Sequence, residues 1–292
     1  MPALEESYRH CRRVTRTRAK NFYYAFILLP RPELNAVCAL YAFMRYCDDL
    51  SDEPGARSEP LERLRRELDA AFAGALDTHL FFPALIDAAT RYQIPRPYLH
   101  DMISGVSSDL ERPRRIQTFD ELYRYCYQVA SVAGMSTMHV LGVRSDEGLA
   151  LAEKCGIAFQ LTNILRDVRE DAERDRVYLP REDLERFGVD PGDFLAGHMS
   201  AAFVELMRFE AARAHRYYRE SAPLVGLVDS RGRQALAALI GIYSGLLDKI
   251  ERSGYDVLAG RISLSAPAEA WIAARAALAA TAARPRGASP AA

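Results

Sequence analysis

The amino-acid sequence predicts an all-α protein, and three observations support this class. Apolar residues recur at the three- and four-residue spacing of an amphipathic helix over almost the whole chain. Alternating runs of the kind that form strands are scarce. Neither a repeat of fixed period nor a shift in composition marks a domain boundary. We therefore expect a single all-α domain over residues 1–283.

Prolines and polar segments indicate where the helices of the first half begin and end. Pro30 and Pro32 precede a strongly apolar stretch, and proline is tolerated where a helix begins. Pro54 and Pro60 bound a clear break after that stretch. The helices expected in this half cover residues 4–19, 34–50, 61–76, 81–92 and 95–110.

The second half is expected to contain longer helices and two loops. Residues 112–117 and the charged segment 170–179 predict loops, and residues 187–192 predict a turn. The expected helices cover residues 120–142 and 145–168, a short stretch opened by Pro180, and residues 201–221, 231–253 and 268–280. Residues 284–292 are small, polar and proline-containing, which predicts a disordered tail.

Composition narrows the class of protein. The net charge of −1 argues against nucleic acid as a main partner. No stretch reaches the ~18 apolar residues that a membrane span needs, and the N-terminus does not resemble a signal peptide. The five cysteines show no CxxC spacing, which favours buried, reduced thiols. We therefore expect a cytoplasmic protein, with peripheral contact to a membrane left open.

The first unusual feature is an acidic segment at residues 48–53 (DDLSDE). Asp48 and Asp52 are four residues apart, which places them on nearly the same face of a helix. Like charges at this spacing destabilise a helix by roughly 0.2–0.5 kcal/mol per pair. Carboxylates are also unfavourable at the C-terminal end of a helix. The segment is either a solvated helix end or a cation site.

A second segment repeats the spacing with Asn163, Asp167 and Asp171, after a heavily apolar stretch at 155–165. Two such segments in an all-α chain predict two acidic walls that face each other across a cavity. Oxygen ligands of this kind suit Mg²⁺, which is usually bound together with substrate phosphates. A diphosphate bridged to the walls by Mg²⁺ would leave more easily from an allylic carbon.

Basic residues near the two segments are candidates for binding the same diphosphate. Arg45 lies three residues before Asp48, and Lys20 precedes an aromatic stretch. Arg166 and Arg169 lie within the second segment. The alternative explanation is that each of these residues is an ordinary charged residue at the protein surface.

If the substrate is a long isoprenoid, the cavity between the walls should be apolar and aromatic. Aromatic faces stabilise a cation by roughly 0.5–2 kcal/mol each. Helix packing is the alternative explanation for most candidates, whereas Tyr41 and Tyr127 also offer a hydroxyl near the acidic segments. The candidates are Phe22, Phe26, Tyr41, Phe43, Tyr127, Val129, Ala130, Ala133, Gly134, Leu161 and Tyr243.

Four segments of the chain resemble the squalene and phytoene synthases, which join two prenyl diphosphates head to head. They are residues 20–30 (KNFYYAFILLP), 40–53 (LYAFMRYCDDLSDE), 125–134 (YCYQVASVAG) and 160–180 (QLTNILRDVREDAERDRVYLP). The last segment, with its Tyr-Leu-Pro ending, is much more specific than a bare DDxxD motif. The similarity extends over about residues 7–275.

The resemblance implies an isoprenoid synthase fold, a single helical bundle around a central cavity. It implies that Mg²⁺ is held by Asp48, Asp52, Asn163, Asp167 and Asp171. It implies catalytic roles for Tyr41, Arg45 and Tyr127, and a closing flap at about residues 171–179. The substrate-binding residues that it implies are Lys20, Asn21, Phe22, Phe26, Arg45, Gln160, Arg166 and Tyr243.

The implied reaction has two steps, through a cyclopropylcarbinyl diphosphate to a linear hydrocarbon. Ser131 replaces a glycine common in the family and is expected to narrow the site, and Phe26 is expected to shorten the tunnel. We expect two farnesyl diphosphates and a squalene-type C30 product of a hopanoid or carotenoid route. The alternative is phytoene from two geranylgeranyl diphosphates. NADPH use and the oligomeric state stay open.

Two other functions compete with this interpretation. A terpene cyclase has a metal motif that Asn163, Asp167 and Asp171 imitate, but the RVYLP ending at 176–180 argues against it. A non-catalytic helical relative should have eroded acidic segments, whereas both are intact here.

Overall fold

The computed structural model describes residues 2–19, 23, 25–52, 56–110 and 113–282, and every structural statement below concerns these residues. The expected all-α class is confirmed, because helices dominate the described chain and its strands form one two-stranded sheet. Lys20, Asn21 and Phe22 lie outside the described residues, as does the tail expected at 284–292.

The helices of the first half match the expected positions, with starts and ends that differ by a few residues. They are α1 (Pro2–Arg18), α2 (Arg31–Asp52), α3 (Ser58–Phe72), α4 (Phe82–Tyr92), α5 (Arg96–Ser108), α6 (Phe119–Cys126) and α7 (Val132–Val140), with a π-helical turn (Tyr127–Ser131) between the last two.

The second half contains shorter connecting helices between long ones. They are α8 (Asp146–Arg166), α9 (Val168–Glu173), α10 (Arg181–Phe187), α11 (Gly192–Ala196), α12 (Ala201–Ser221), α13 (Leu224–Leu227), α14 (Ser230–Arg252) and α15 (Ala266–Ala282).

Local sequence explains where several helices begin. The hydroxyls of Thr118, Ser145 and Ser200 each accept a hydrogen bond from a backbone N–H of the following helical turn. Such caps satisfy N–H groups that the first turn leaves without a partner. The first turns of α4 and α5 carry proline, which needs no such partner.

The two expected loops at 112–117 and 170–179 are partly regular, so this expectation was wrong. Strand β1 (Arg114–Arg115) pairs in parallel with β2 (Arg176–Val177). The N–H of Arg114 donates to the carbonyl of Asp175 at 3.0 Å. Segments about 60 residues apart thus satisfy each other's backbone hydrogen-bonding groups. A local sequence pattern does not reveal such pairing.

The helix expected at 120–142 is interrupted by the π-helical turn. The turn packs against both α5 and α8. A Cβ on Gly156 of α8 would lie 2.5 Å from Cα of Ser131, and one on Gly105 of α5 would lie 2.7 Å from the Val129 side chain. Both glycines therefore permit a contact that any larger residue would block.

The longer helices pack around two central ones. Helix α2 packs against α1, α4, α5 and α7, and α8 packs against α7, α12 and α14. Two main clusters of buried apolar side chains lie in these layers, and Tyr127 contacts both. All five cysteines are buried and unpaired. No described helix has the length and apolar character needed to span a bilayer.

Candidate active site

A cavity of about 710 Å³ lies between α2, the α5–α7 region, α8 and α14. Each wall consists of side chains that lie along one face of a helix. Helix α2 contributes Val37, Tyr41, Arg45 and Asp48, which follow each other at steps of three or four residues. One face of each long helix therefore lines the cavity while its other faces pack in the core.

Most of the cavity surface is apolar. The lining residues in the first turn of α7 are small, with Ala133 and Gly134 adjacent, and Phe26 and Leu29 also line the cavity. The other apolar lining residues include Leu40, Met44, Val106, Val129, Ala130, Met138, Leu141, Phe159, Leu224, Leu236, Leu239 and Leu246. A long apolar chain fits these walls.

The opposite end of the cavity is polar and brings together most of the predicted site residues. Those lining it are Tyr41, Arg45, Asp48, Gln160, Asn163, Arg166 and Tyr243. Three polar residues that the sequence analysis missed, Arg18, Asp109 and Arg261, line it as well.

The two acidic segments are tied together across this polar end. The Arg176 guanidinium, in the strand after the second segment, lies 3.1 Å from the Asp52 carboxylate of the first. It also donates to the backbone carbonyl of Ser51 at 3.3 Å. Arg174 reaches Asp52 at 3.5 Å. The expected flap therefore bridges both walls.

Asp109 lies between the two segments and is buried, with 6% of its surface exposed. Its carboxylate accepts hydrogen bonds from the Tyr125 hydroxyl at 2.9 Å and the Tyr178 hydroxyl at 2.7 Å. Burial is the main cause of the raised pKa values of Asp48 and Asp171, and the charge of Asp109 adds to both. A lone acid just after the C-terminal end of α5 is electrostatically unfavourable, and this signal could have identified it.

Two arginines hold Asp167 of the second segment. Arg166 forms a two-pronged ion pair with it, with Nε 2.7 Å from Oδ1. Arg261, from the segment before α15, approaches the same carboxylate at 3.1 Å and Glu170 at 3.7 Å. On α2, Arg45 pairs with Asp49. The polar end thus carries cations as well as carboxylates.

Two carboxyls of the acidic segments have raised pKa values, mainly because they are buried. Burial, opposed by Arg45 and reinforced by Asp52 and Asp109, raises the pKa of Asp48 to about 7. Burial, with Asp167 and Asp109, raises the pKa of Asp171 to about 8. A raised pKa means that the ionised form of each carboxyl is unfavourable where it lies. A bound cation would stabilise that ionised form.

Asn163 gives a second test of whether these residues suit a metal ion. Its side-chain nitrogen donates to Gln160 at 3.3 Å. Its Oδ1 is buried, and no hydrogen-bond donor reaches it within the described chain. A buried oxygen without a donor is unfavourable, and a hard cation would satisfy it. The oxygen donors at this end therefore fit Mg²⁺.

Tyr41 and Tyr243 line the same end as neutral hydroxyl donors. Burial, the largest effect for each, raises both pKa values to about 12. The Tyr243 ring stacks on Phe159 with 4.4 Å between centroids. Each residue therefore offers a protonated hydroxyl close to an aromatic surface.

The structure does not bring Tyr127 to the cavity. Its neighbours are Asp101, Tyr98 and Glu153, on α5 and the outer side of α8. Tyr125 lines the cavity instead. Steps of four residues back from Val129 lead to Tyr125, so the helical spacing could have identified it.

Three other expectations about the walls differ from the structure. Ser131 does not narrow the cavity, because it is fully buried and its hydroxyl donates to the Glu153 carbonyl at 2.8 Å. Phe43 and Leu161 pack in the two cores rather than lining the cavity. Side chains two positions from a lining residue point to another face of the helix.

A separate group of side chains lies on α12 and α14. The ligand atoms of His215, Asp248 and Glu251 lie within 4.8 Å of one another. None of the three lines the cavity. The group therefore serves as an internal control for tests of metal binding.

Comparison with protein families gives one model that matches most of the chain. The model described as squalene/phytoene synthase matches residues 15–268. This range includes both acidic segments and every described residue of the polar end.

Curated relatives match over nearly their whole length. The chain is 37% identical to the 15-cis-phytoene synthase of Synechocystis over 280 residues, which cover 91% of this chain and 82% of that protein. It is 38% identical to the phytoene synthase of Mycobacterium tuberculosis over 286 residues, covering 94% and 92%.

Solved structures share the fold. A dehydrosqualene synthase in complex with a ligand superposes with a TM-score of 0.88 at 30% identity, covering 94% of this chain and 96% of that one. The squalene synthase HpnC from Alicyclobacillus acidocaldarius superposes with a TM-score of 0.81 at 30% identity, covering 87% and 97%.

Proposed function

The chain belongs to the squalene/phytoene synthase family, and from this premise we propose that it joins two farnesyl diphosphates head to head in a Mg²⁺-dependent reaction. It is a prenyltransferase with the isoprenoid synthase fold. One observation carries the proposal: a single cavity is lined at one end by Asp48 of the first acidic segment, Asn163 of the second and several arginines, and its other walls are apolar. Asp52 and Asp167 lie outside the lining, where they pair with Arg176 and with Arg261.

Diphosphate binding is assigned to the polar end. The Arg45, Arg166 and Arg261 guanidinium groups and the Tyr41 and Tyr243 hydroxyls all line this end. Guanidinium groups form charge-assisted hydrogen bonds with phosphate oxygens. The arginines are already paired with carboxylates, so an anion must enter together with cations that compensate those carboxylates.

The metal ligands in this proposal are the oxygen-bearing residues of the two acidic segments. They are Asp48, Asp52, Asn163, Asp167 and Asp171. When bound, Mg²⁺ would neutralise charge that develops on the leaving diphosphate.

The cavity walls determine which groups contact the allylic cation after the C–O bond breaks. The leaving diphosphate takes the electron pair of that bond and stays at the arginines. The apolar walls exclude water, which would otherwise capture the cation. The stacked rings of Phe159 and Tyr243 present aromatic surface to the cavity.

Coupling follows the family's two steps. C1 of the ionised chain bonds to both carbons of the C2–C3 double bond of the second chain, and loss of one proton completes the cyclopropylcarbinyl diphosphate. The second diphosphate then leaves, and rearrangement gives a linear cation. Hydride from NADPH would end the reaction as squalene, whereas proton loss would end it as dehydrosqualene.

The choice of farnesyl chains rests on Phe26. This bulky side chain is buried and lines the cavity, which limits the chain length that fits. The similarity to a dehydrosqualene synthase agrees with this choice. A second candidate, two geranylgeranyl diphosphates, is favoured by the names of the curated relatives, which are phytoene synthases.

Product analysis tests the proposal. The purified protein with Mg²⁺ is given farnesyl or geranylgeranyl diphosphate, each with and without NADPH. We expect a C30 product from farnesyl diphosphate. A C40 product alone would support the second candidate instead. A volatile cyclic C15 product without any C30 product would identify a terpene cyclase and overturn the proposal.

A further inference from the structure

Helix α1 carries a concentrated positive charge outside the proposed active site. Residues 9–20 (RHCRRVTRTRAK) contain six basic residues and no acidic one, whereas the whole chain has a net charge of −1. Arg9, Arg13 and Arg16 are exposed. Steps of four and three residues place them on one face of the helix. We call these three residues the arginine row.

The charge of the arginine row is not offset by ion pairs. Within the described part of the chain, Arg12 is the arginine of α1 that forms one, with Glu5 at 3.1 Å. The Arg13 guanidinium contacts the ring of His10 at 3.4 Å instead. Burial and the charge of Arg13 lower the pKa of His10. The row therefore presents positive charge to the solvent.

The last residue of α1 reaches the polar end of the cavity. Arg18 is exposed and also lines the cavity, so the polar end opens to solvent beside it. Along the helix axis, Arg16 lies about 3 Å and Arg9 about 14 Å from Arg18, at a rise of about 1.5 Å per residue. The Debye length is about 10 Å at 0.1 M salt, so the field of the row extends to this opening.

The polar end by itself attracts a distant anion only weakly. The three arginines assigned above to diphosphate binding are each paired with a carboxylate at short range. Arg45 pairs with Asp49, while Arg166 and Arg261 both pair with Asp167. The fields of such close opposite charges largely cancel at a distance. Attraction over a longer range therefore needs positive charge from another part of the molecule.

The arginine row supplies such charge without contacting the reacting atoms. Ser7, Tyr8, Cys11 and Thr15 form the buried side of α1, and the row lies on the side that faces solvent. A charge that acts only over distance changes how readily an anion is captured. It leaves the chemical step unchanged, because it does not distinguish the bound substrate from the transition state.

We propose that the arginine row attracts prenyl diphosphates from solution toward the polar end of the cavity. The inference rests on the proposed function, from which it takes the anionic substrate. Three unit charges that act through water on a diphosphate should tighten substrate binding by about three- to tenfold at low salt. Screening should remove this advantage at high salt.

Substrate binding tests the proposal without turnover. Calorimetry measures the Kd of farnesyl thiodiphosphate, whose carbon–sulfur bond resists ionisation, with Mg²⁺ at ionic strengths from about 20 to 500 mM. The variant that combines Arg9→Gln, Arg13→Gln and Arg16→Gln should bind about three- to tenfold more weakly at the lowest salt and equally well at the highest. Glutamine and arginine have similar helix propensities, so the fold should not change.

A second triple variant separates the position of the charges from the net charge. Arg208→Gln, Arg216→Gln and Arg219→Gln remove three charges from exposed positions of α12, and no described residue of α12 lines the cavity. This variant should bind like the unmodified protein at every salt concentration. Glutamate at the three positions of the arginine row should weaken binding further than glutamine does, since it reverses the charge.

Three results overturn the proposal: equal Kd values for the row variant and the unmodified protein at low salt, the same loss in both glutamine triple variants, or a loss that persists at high salt. The condensation assay keeps the two proposals apart. The row variant should keep the kcat of the unmodified protein and show a higher KM at low salt. An unmodified protein that binds the thiodiphosphate but forms no C30 product contradicts the proposed function and leaves the attraction standing. An unmodified protein that does not bind it contradicts both.

Discussion

At the residue scale, Asp109 is the side chain that joins the two acidic segments. It accepts hydrogen bonds from Tyr125 and Tyr178, and its charge acts on Asp48 and Asp171. Tyr178 belongs to the segment that Arg176 ties to Asp52. Asp109 therefore positions the flap relative to both walls, while it does not belong to either acidic motif.

Replacing Asp48 by Asn should separate catalysis from folding. The substitution removes a carboxylate whose pKa burial and neighbouring acids raise to about 7, so the fold should be equally or more stable. Turnover should fall by about 10² or more, because the diphosphate site loses a proposed metal ligand. Steady-state turnover and urea unfolding measure the two effects. Glu251→Gln, which changes the separate group on α14, should keep full activity.

The Tyr125 and Tyr127 hydroxyls give a matched pair for the second residue-scale prediction. Tyr125→Phe removes a donor to the buried Asp109 carboxylate, so we expect a loss of about 1–3 kcal/mol in stability and lower turnover. Tyr127→Phe should change stability by less than about 0.5 kcal/mol. The same activity assay and chemical denaturation compare them. A larger activity loss for Tyr127→Phe would contradict the placement of the two rings.

At the element scale, the contact between α8 and the π-helical turn depends on Gly156. Gly156→Ala would place a Cβ within 3 Å of the Ser131 backbone, which does not move as a flexible side chain does. We expect destabilisation of about 1–3 kcal/mol. Gly226→Ala is the control, because no atom lies within 4 Å of its added Cβ. Equal melting temperatures for the two variants would show that the π-helical turn shifts and accommodates the added Cβ.

Helix α10 is held to α12 by a buried charge cluster. The Arg213 guanidinium lies 2.9 Å from Asp183 and 2.7 Å from Glu210. Burial, the largest effect, and the Asp183 charge raise the pKa of Glu210 to about 8, while Arg213 opposes the rise. The raised pKa means that the folded state binds this proton more tightly than the unfolded chain does.

Stability should therefore depend on pH through Glu210. Its contribution is complete below the ordinary pKa of about 4.5 and is lost as pH rises through about 8. Urea unfolding between pH 5 and pH 9, in the unmodified protein and in Glu210→Gln, isolates it. We expect the unmodified protein to lose on the order of 1–3 kcal/mol relative to the variant over this interval. Parallel pH profiles would contradict the assignment.

At the scale of the whole molecule, ligand binding should couple both halves of the chain. The polar end takes residues from α2, α8, α14 and the segment before α15. Mg²⁺ with inorganic diphosphate at about 100 times its dissociation constant should stabilise the native state by about 2.7 kcal/mol. The melting temperature should rise by about 5 °C.

Two variants make this thermal shift specific. Asp48→Asn should abolish the shift, whereas Glu251→Gln should keep it, because Glu251 belongs to the group outside the cavity. A shift that survives Asp48→Asn and disappears in Glu251→Gln would move the metal site to α12 and α14. A melting temperature that does not change with Mg²⁺ and diphosphate would support the alternative of a non-catalytic helical relative.

Several local features of the fold could be read from the sequence. The apolar periodicity predicted the long helices, and prolines predicted some of their starts. The three-residue spacing of Arg45 and Asp48 placed both on nearby positions of one helix, and both line the cavity. These features are local, because one turn of helix fixes which side chains share a face.

Contacts between distant segments were not accessible in this way. The β1–β2 pairing joins residues about 60 positions apart, and Arg176 reaches Asp52 from 124 positions away. The family resemblance implies Tyr127, whereas packing of the π-helical turn between separate helices places Tyr125 in the cavity lining. The position of Asp109 after a helix end is a local signal, but its hydrogen bonds with Tyr125 and Tyr178 join segments that are distant in the sequence.

The sequence by itself determined the all-α class, the family and most residue types of the polar end, because spacing and motif are properties of a local stretch of chain. The tertiary structure alone decided that Arg261 joins that end, that Arg176 ties Asp52 to the second acidic segment, and that α15 presents Trp271 outward. Those outcomes depend on how separate helices pack against each other. Packing is a property of the whole fold, so no single segment encodes it.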